Sequence, residues 1–526
     1  MIFRSGAPDV TIPEMTFTDY VFKNAASRAD KPALIDGPSG RTLTYGQLAA
    51  GIEKVATTLS QKGFGKGDVF AIYCPNLPEY AIIFHAVATV GGINTTINPL
   101  YTVEELAKQL NDSKARFLLT VPPFLANAIE AAGKSAVEEV FVLGEAEGAT
   151  PFSALMTAEG APPPVNIDPA EDLIVLPYSS GTSGLPKGVM LTHRNLVANI
   201  CQTLGAEGFA GFTEDDTIVA VLPFFHIYGM IVIMNLGLVV GATLVTVPKF
   251  DMVEFLALMQ DRKITVAPLV PPIVLGLAKH PVVDNYDLSN LRMIFCGAAP
   301  LGEQVSNEAG QRMNCLIAQG YGMTEASPVT HISPTDPDKM KAGSAGRVVP
   351  NTEVQLVDTT SGKAVGVGET GELWIRGPQI MKGYLNQPGE TADSIDDEGW
   401  YKTGDIGTVD AQGNFFIVDR VKELIKYKGM QVAPAELEAL LLSHPDVADV
   451  AVIPKPDEEA GEIPKAFIVL KPESQVAAED IMTFTAEHAA PHKKVRAVEF
   501  IDLIPKSASG KILRRVLVEK EREQAS

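Results

Sequence analysis

Apolar residues along this chain fall into two alternating patterns. Short continuous apolar runs over 68–73, 117–120, 140–143, 173–176, 218–222 and 293–296 predict buried strands. Two more strands, 33–36 and 41–44, flank a turn of Gly, Pro and Ser. Between the runs lie stretches that predict helices over 45–59 and 79–90, with a third opening after 102. Thr44 with Gln47, and Thr102 with Glu105, have the spacing of a capping box. Strand and helix in alternation predict an α/β sandwich built on parallel sheets.

Three stretches break the pattern. Residues 144–170, with Gly, Pro and Ala throughout, predict a surface connection. The uncharged, mostly apolar stretch 230–247 has nearly the length of a membrane span, but Asn235, Gly237, Gly241 and Pro248 punctuate it. A buried helix over 229–239 and a buried strand over 243–247 fit it better. Beyond 420, apolar Leu424, Ile425 and Tyr427 are interleaved with Lys422, Lys426 and Lys428, which predicts a half-exposed basic strand. From Ala435 the reading is α+β: a helix to about 443, strands near 447–453 and 466–470, a helix over 478–489 and a strand near 498–501.

Composition narrows the function. A net charge of −21 disfavours nucleic acid, whose recognition needs clustered Lys and Arg. The cysteines Cys74, Cys201, Cys296 and Cys315 are far apart, so no disulfide framework and a reducing compartment are expected. The first residues lack an apolar leader segment, and Gln-Ala-Ser at the other end is no organelle-targeting tripeptide. A cytoplasmic protein without a membrane span is expected.

The candidate chemistry centres on YSSGTSGLPKGVMLTH, residues 178–193, directly after the 173–176 strand. Gly, Ser and Thr dominate it, so it cannot build a packed core. Glycines let the backbone approach an anion, and hydroxyls and successive N–H groups donate to phosphate oxygens. Lys187 adds a positive charge. Pro186 and Gly188 flank that lysine, so this is no Walker A loop, which needs Gly before the lysine and Ser or Thr after it. A plain Gly/Ser linker would not carry Pro-Lys and run straight into an apolar segment.

Later motifs add to it. PFFHIYG, 223–229, puts His226 after two aromatics at a strand end, where α/β proteins place ligands, although a lone histidine there is more often a core residue. GAAPLG, 297–302, offers small residues on which a flat ring can lie. QGYGMTE, 319–325, brackets an aromatic with glycines and ends on Thr324 and Glu325, a donor to phosphate and a hard oxygen ligand for Mg²⁺. Asp405, after a glycine turn, can accept from both hydroxyls of a ribose. GVGETG, 366–371, matches GxGxxG by letter but precedes a strand, so it predicts a hairpin turn. His488 and His492 are spaced i, i+4 with Pro491 between, which argues against zinc. Lys511 sits in a Ser/Gly loop before a final helix.

Together these motifs resemble the adenylate-forming superfamily of acyl-CoA synthetases, nonribosomal peptide adenylation domains and beetle luciferases. They run in the family's order from about residue 20 to about 515, most like the 4-coumarate–CoA ligase group. The resemblance implies a large domain, 1–420, of stacked αβαβα sheets, with a β-barrel-like part at about 346–420, and a small mobile α+β domain, 421–526. It implies ATP-dependent ligation of a carboxylic acid to coenzyme A, through acyl-AMP and with Mg²⁺. The acid would be 4-coumarate or a related hydroxycinnamate; the alternative is a medium- or long-chain fatty acid. A luciferase-like oxygenase and a carrier-protein-loading enzyme are more remote. The partners would be the small-molecule acid, ATP and CoA, and the assembly a monomer or homodimer.

The resemblance also implies roles. ATP or AMP would meet Ser179, Ser180, Gly181, Thr182, Ser183, Gly184, Lys187, Gly297, Ala298, Ala299, Gln319, Gly320, Tyr321, Gly322, Thr324, Asp405, Arg420, Gln431 and Lys511. Glu325 and Thr182 would hold the metal. The acyl group would lie among His226, Tyr228, Val232, Phe295, Ala298, Gly320, Lys422 and Lys426, and CoA against Lys249, Lys428 and Gly429. Catalysis would fall to Lys511, Lys426, His226, Thr324 and Glu325, with a hinge at residues 420–422. Val232 and Phe295 depart from the plant coumarate ligases, which commonly carry a small polar residue and in some members a lysine there.

Overall fold

The computed structural model describes residues 1–179, 186–428, 430–457, 459–472, 474–507 and 510–525. The predicted alternation forms two large sheets. An eight-stranded sheet is centred on the parallel strands Leu173–Ser179, Ile93–Thr96, Val69–Tyr73, Ala115–Thr120 and Glu139–Val142. A nine-stranded sheet has Leu316–Gly322, Met293–Cys296, Val266–Leu269, Thr217–Ala220 and Thr243–Thr246 as its parallel centre. Most of these central strands bury apolar residues on both faces because helices or the other sheet cover each side, whereas Ile93–Thr96 buries the polar Asn94, Thr95 and Thr96. Phe17, Tyr80, Phe84, Phe224 and Ile233 belong to the shared core, and all are buried.

Local rules account for most element starts. Thr44 accepts from the Gln47 N–H at 3.2 Å, and the Gln47 side chain accepts from the Thr44 N–H at 2.9 Å, so both orphan donors are satisfied. Thr102 and Glu105 form the same reciprocal pair, as do Thr192 and Asn195.

A third, antiparallel sheet joins Phe3–Arg4, Glu353–Val357, Gly371–Arg376, Tyr401–Val409 and Phe415–Arg420. The GVGETG run lies in the connection between the second and third of these, as a turn. A fourth sheet holds Met430–Val432, Ile425–Tyr427, Gly461–Leu470, Val447–Asp457 and Ala497–Phe500, backed by helices Pro434–Leu442 and Ala478–His488. The α/β reading for the long first part and the α+β reading for the shorter last part both hold. Among the described residues no helix is long and apolar enough to cross a membrane.

Three expectations need correction. Segment 144–170 is not all surface: Phe152 and Leu155 are buried, and Gly160 O accepts from Thr57 Oγ1 at 2.9 Å. Two isolated apolar anchors in a Gly/Pro stretch leave no period to read. The 229–239 helix is a π-helix over Tyr228–Asn235 followed by an α-helix over Leu236–Val240. Asn235 Nδ2 donates to Met230 O at 2.8 Å, five residues back, and the Leu236 N–H reaches Ile231 O. The 447–453 strand runs on to Asp457, and its partner starts at Gly461, because pairing in this hairpin continues through mostly half-buried residues that break the apolar run.

Candidate active site

The carboxyl ends of the parallel strands open into one cavity of about 680 Å³, the position expected for a ligand in this architecture. Three groups of residues meet there, and a loop from the last sheet's side completes it.

The first group surrounds Asp405. Gly404 at φ +71° turns the chain into Asp405, whose backbone faces Arg420 across the antiparallel pair. The Asp405 carboxylate accepts from Tyr321 OH at 2.6 Å and from Arg420 Nε at 3.1 Å. Burial, then Asp405, raises the Tyr321 phenol well above its usual range, so it stays a donor. The aspartate is thus held rigid, with one bond to each oxygen.

The second group lies beside the Gly/Ser/Thr loop. Ser180, Gly181, Thr182, Ser183 and Gly184 fall outside the described residues, but the ends of that loop do not. Ser179 and Lys187 face each other as Cα partners in the antiparallel pair of strands that flank it. Glu325, buried in a single turn over Thr324–Ala326, accepts on Oε1 from Ser179 Oγ at 2.9 Å and Tyr384 OH at 3.0 Å. Lys187 is 6% exposed. Its Nζ touches the Glu390 carboxylate and lies 4.9 Å from the Tyr384 ring centre. Among the described residues no cluster of three or more His, Cys, Asp or Glu could hold a metal. Glu325 as a lone carboxylate fits Mg²⁺, which takes one or two carboxylates and completes its shell with phosphates and water.

The third group is apolar. Tyr228, Val232 and Phe295 are buried around one end of the cavity, and Gly320 lies against the Phe295 ring. A Cβ on Gly320 would come 2.8 Å from Phe295 Cζ, so a larger residue there would have to push the Phe295 ring aside. Tyr228 OH donates to Phe295 O at 2.6 Å, and the two rings meet edge-on at 6.2 Å. Phe209 and Phe212 back Phe295 at 5.9 Å and 6.4 Å. His226 accepts on Nδ1 from the Tyr228 N–H at 3.3 Å. Burial, then the nearby Lys511, lowers the His226 pKa to about 4, so the ring is neutral at pH 7 and its proton sits on Nε2.

Lys511 closes the cavity from the chain's last part, with Leu513 and Lys422 beside it. Two hydrogen bonds to Ser507 hold its backbone: Lys511 O accepts from the Ser507 N–H at 2.8 Å, and the Lys511 N–H donates to Ser507 Oγ at 3.1 Å. Burial, then the Arg420 cation, lowers the Lys511 pKa to about 8.

Gly297, Ala298, Tyr321, Gly322, Thr324 and Arg420 also line the cavity, as expected from the sequence. Ala299 does not, and Gln319 acts indirectly: its buried amide bonds both Leu301 N and Leu301 O at 3.3 Å, bracing the 297–302 loop. Lys426 and Gln431 face each other on exposed strands away from the cavity. Lys428, at φ +48°, touches the Glu459 carboxylate, and Lys249 is exposed on a loop. Gly429 falls outside the described residues.

Sequence reading missed two supports. Asn76, buried, donates to Ala220 O at 2.9 Å and Leu222 O at 2.8 Å, and accepts from the Phe224 N–H at 2.7 Å. Thr96 Oγ1 donates to Phe225 O at 2.8 Å. Both hold the loop that carries His226. Glu390 was also missed. None of the three sits in a motif, and each takes its meaning from partners distant in sequence.

Comparison with known proteins fits this geometry. The family model described as AMP-binding enzyme matches residues 21–385, and the model described as AMP-binding enzyme C-terminal domain matches residues 436–511. The chain is 45% identical over 523 residues to 4-coumarate–CoA ligase 5 of Oryza sativa subsp. japonica, covering 98% of this chain and 96% of the relative. It is 43% identical, with the same coverage, to 4-coumarate–CoA ligase 1 of Petroselinum crispum. Among solved structures, the anthranilate CoA ligase AuaEII in complex with anthranoyl-AMP superposes with a TM-score of 0.91 at 28% identity, over 98% of this chain and 99% of that one. ATP-bound MatB from Rhodopseudomonas palustris gives 0.86 at 28% identity, over 97% and 100%. Matched along both parts of its length, the chain belongs to the AMP-binding enzyme family, and it is an acid–thiol ligase.

Proposed function

We propose that the protein activates 4-coumarate or a related arylpropenoic acid as its acyl-AMP and passes the acyl group to coenzyme A. The observation that carries this reading is that one cavity joins a ribose-type carboxylate, Asp405, a metal-type carboxylate, Glu325, and a buried cation, Lys511, to an apolar pocket around Phe295. The named relatives are 4-coumarate–CoA ligases.

In this reading the acid's carboxylate attacks the α-phosphorus of ATP, and pyrophosphate leaves. The protein's contribution is positioning and neutralisation of charge. Asp405 accepts from the ribose hydroxyls, with Tyr321 and Arg420 holding its oxygens in place. Lys187 and the adjoining loop grip the β- and γ-phosphates, and Thr324 donates to the α-phosphate. Lys511 lies between the carboxylate and the α-phosphate. Glu325 would hold Mg²⁺, which supplies further neutralisation of phosphate charge. In the second step the CoA thiol attacks the acyl carbon and AMP leaves. His226, with its proton on Nε2, is a donor at the acyl group and not a base. Lys426, Lys428 and Gln431 lie outside the cavity in this orientation, so we propose that rotation of the part beyond residue 420 exchanges Lys511 for them.

The far end of the pocket sharpens the choice of acid. The Tyr228 hydroxyl is engaged by Phe295 O, and Val232 and Phe295 carry no polar group. A ring hydroxyl of the substrate therefore meets no dedicated partner there, and a site of that kind discriminates weakly for hydroxyl. Cinnamate should be turned over within about tenfold of 4-coumarate. The same apolar end favours medium- and long-chain fatty acids as the second reading. The test is AMP release with ATP and Mg²⁺, with and without CoA, across 4-coumarate, cinnamate, octanoate and palmitate. CoA-dependent turnover best with the arylpropenoates supports the proposal. Turnover best with octanoate or palmitate replaces it with the second reading, and turnover without any CoA dependence overturns both.

A further inference from the structure

A cavity meant for a polyphosphate is lined on one side by carboxylates that repel phosphate. The short helix Pro388–Ser394 presents Glu390 and Asp393 to it. Glu390 is the one in contact with a cation. Its carboxylate bonds Lys187 Nζ, which is otherwise packed over the Tyr384 ring. That ring's hydroxyl in turn bonds Glu325. Lys187 has only 7% of its side chain exposed, while Glu390 keeps 46%. An ammonium so far from water needs an anion beside it. A half-exposed carboxylate does not need its cation equally, because water can replace it. The contact is therefore asymmetric: Lys187 depends on Glu390 more than Glu390 depends on Lys187. The bond and charge of Lys187 hold the Glu390 carboxyl below the usual range, and Lys422 adds a smaller Coulomb attraction.

We propose that Glu390 is a positioning residue that competes with phosphate for Lys187 and so limits how tightly the site grips pyrophosphate. This rests on the ligase reading above. With a polyphosphate bound, its oxygens take Lys187 and Glu390 turns to water and Lys422. When pyrophosphate is the product, Glu390 reclaims the lysine and eases the product out. No bond is made or broken in the exchange. The helix places Glu390 for this task through its neighbours: Tyr384 N–H donates to Thr391 Oγ1 at 2.9 Å, and Thr391 Oγ1 donates to Gln387 O at 3.0 Å.

The experiment is product inhibition of acyl-CoA synthesis by pyrophosphate in wild type, Glu390→Gln and Glu390→Asp. Glu390→Gln removes the charge and keeps the shape. Its expected effect is roughly threefold to tenfold tighter inhibition by pyrophosphate, the size set by one partly exposed ion pair. Glu390→Asp should restore part of the wild-type value. A role confined to folding would lower the melting temperature and the rate without tightening pyrophosphate. Unchanged or weakened inhibition in Glu390→Gln overturns the proposal. The same substitution made on a Lys187→Met background should have no effect on pyrophosphate. An equal effect in both backgrounds also overturns it, because Lys187 is then not the intermediary. If wild type released no pyrophosphate with any acid, the ligase reading itself would fail, an outcome distinct from either of these.

Discussion

Lys187 and Lys511 line the same cavity from different parts of the chain. Lys187 stands on a strand of the eight-stranded sheet, with the Glu390 carboxylate in contact. Lys511 stands on a loop and, among the described residues, has no carboxylate bonded to its side chain; burial and Arg420 press its pKa down to about 8. The contrast extends to their surroundings. Asp405, Glu325 and Tyr228 on the fixed wall each have partners already. The fixed wall is built to stand without ligand. In the reading proposed above, the arm carrying Lys511 finds its countercharge in the ligand. Damage to the wall should therefore appear in stability as well as activity, and damage to the arm in one chemical step alone.

The strongest test of that division is Lys511→Ala. Acyl-AMP formation should fall by on the order of 10²–10³. Reaction of preformed acyl-AMP with CoA should stay within about twofold if, as proposed, Lys511 leaves the site before that step. Equal losses in both half-reactions would erase the distinction between wall and arm.

The next test is pH. Only the ammonium form of Lys511 can neutralise phosphate, so kcat/KM for ATP in acyl-AMP formation should decline as pH rises through about 8. The slope should approach about tenfold per pH unit, and Lys511→Arg should remove this limb because arginine stays charged. The linkage sign is opposite for folding. The folded pKa, about 8, lies below the ordinary 10.5, so the unfolded chain binds more protons between them. Lys511 thus adds stability to the ligand-free protein as pH rises through that window. Denaturant titrations at several pH values, wild type against Lys511→Ala, read this term.

On the wall, Asn76→Ala strands the Phe224 N–H and two carbonyls. It should cost about 1–3 kcal/mol in urea unfolding and raise KM for the acid, since the His226 loop loses its brace. A raised KM with unaltered stability would place Asn76 with the arm's type of residue. The smallest effect is expected from Tyr228→Phe, which removes one donor from Phe295 O at about 1 kcal/mol. The ratio of cinnamate to 4-coumarate turnover should hardly move. A large shift toward cinnamate would mean that the hydroxyl leaves Phe295 O to read the substrate.

The fold was legible wherever a local rule applies. Continuous apolar runs marked most of the parallel strands, though not Ile93–Thr96, Val266–Leu269 or Leu316–Gly322, and Thr44–Gln47 and Thr102–Glu105 announced their helices. The site was legible where its chemistry is local: Asp405 after its glycine turn, and Tyr321, Thr324 and Glu325 in one run, all line the cavity. What escaped depends on chain neighbours that only folding creates. Asn76 reads as any polar loop residue until Ala220, Leu222 and Phe224 arrive beside it. Glu390 reads as a first-turn helix acid until Lys187 does. Gln319 sits inside a motif, yet its amide serves Leu301 rather than the cavity. The π-helix escaped because its residues are apolar on every side, which leaves no period to separate α from π.

That π-helix shapes how the pocket can change. Its hydrogen bonds span five residues rather than four, so each hydrogen-bonded ring encloses one residue more than in an α-helix. Tyr228 and Val232 lie within it and line the cavity, and Leu236–Val240 anchors its far end in the core. Loss of a single residue in this stretch would let it tighten to α and swing the pocket-facing positions around the axis, while both ends stayed tethered. The range of acids accepted by this scaffold can thus drift through the length of one helix as well as through the letters in it.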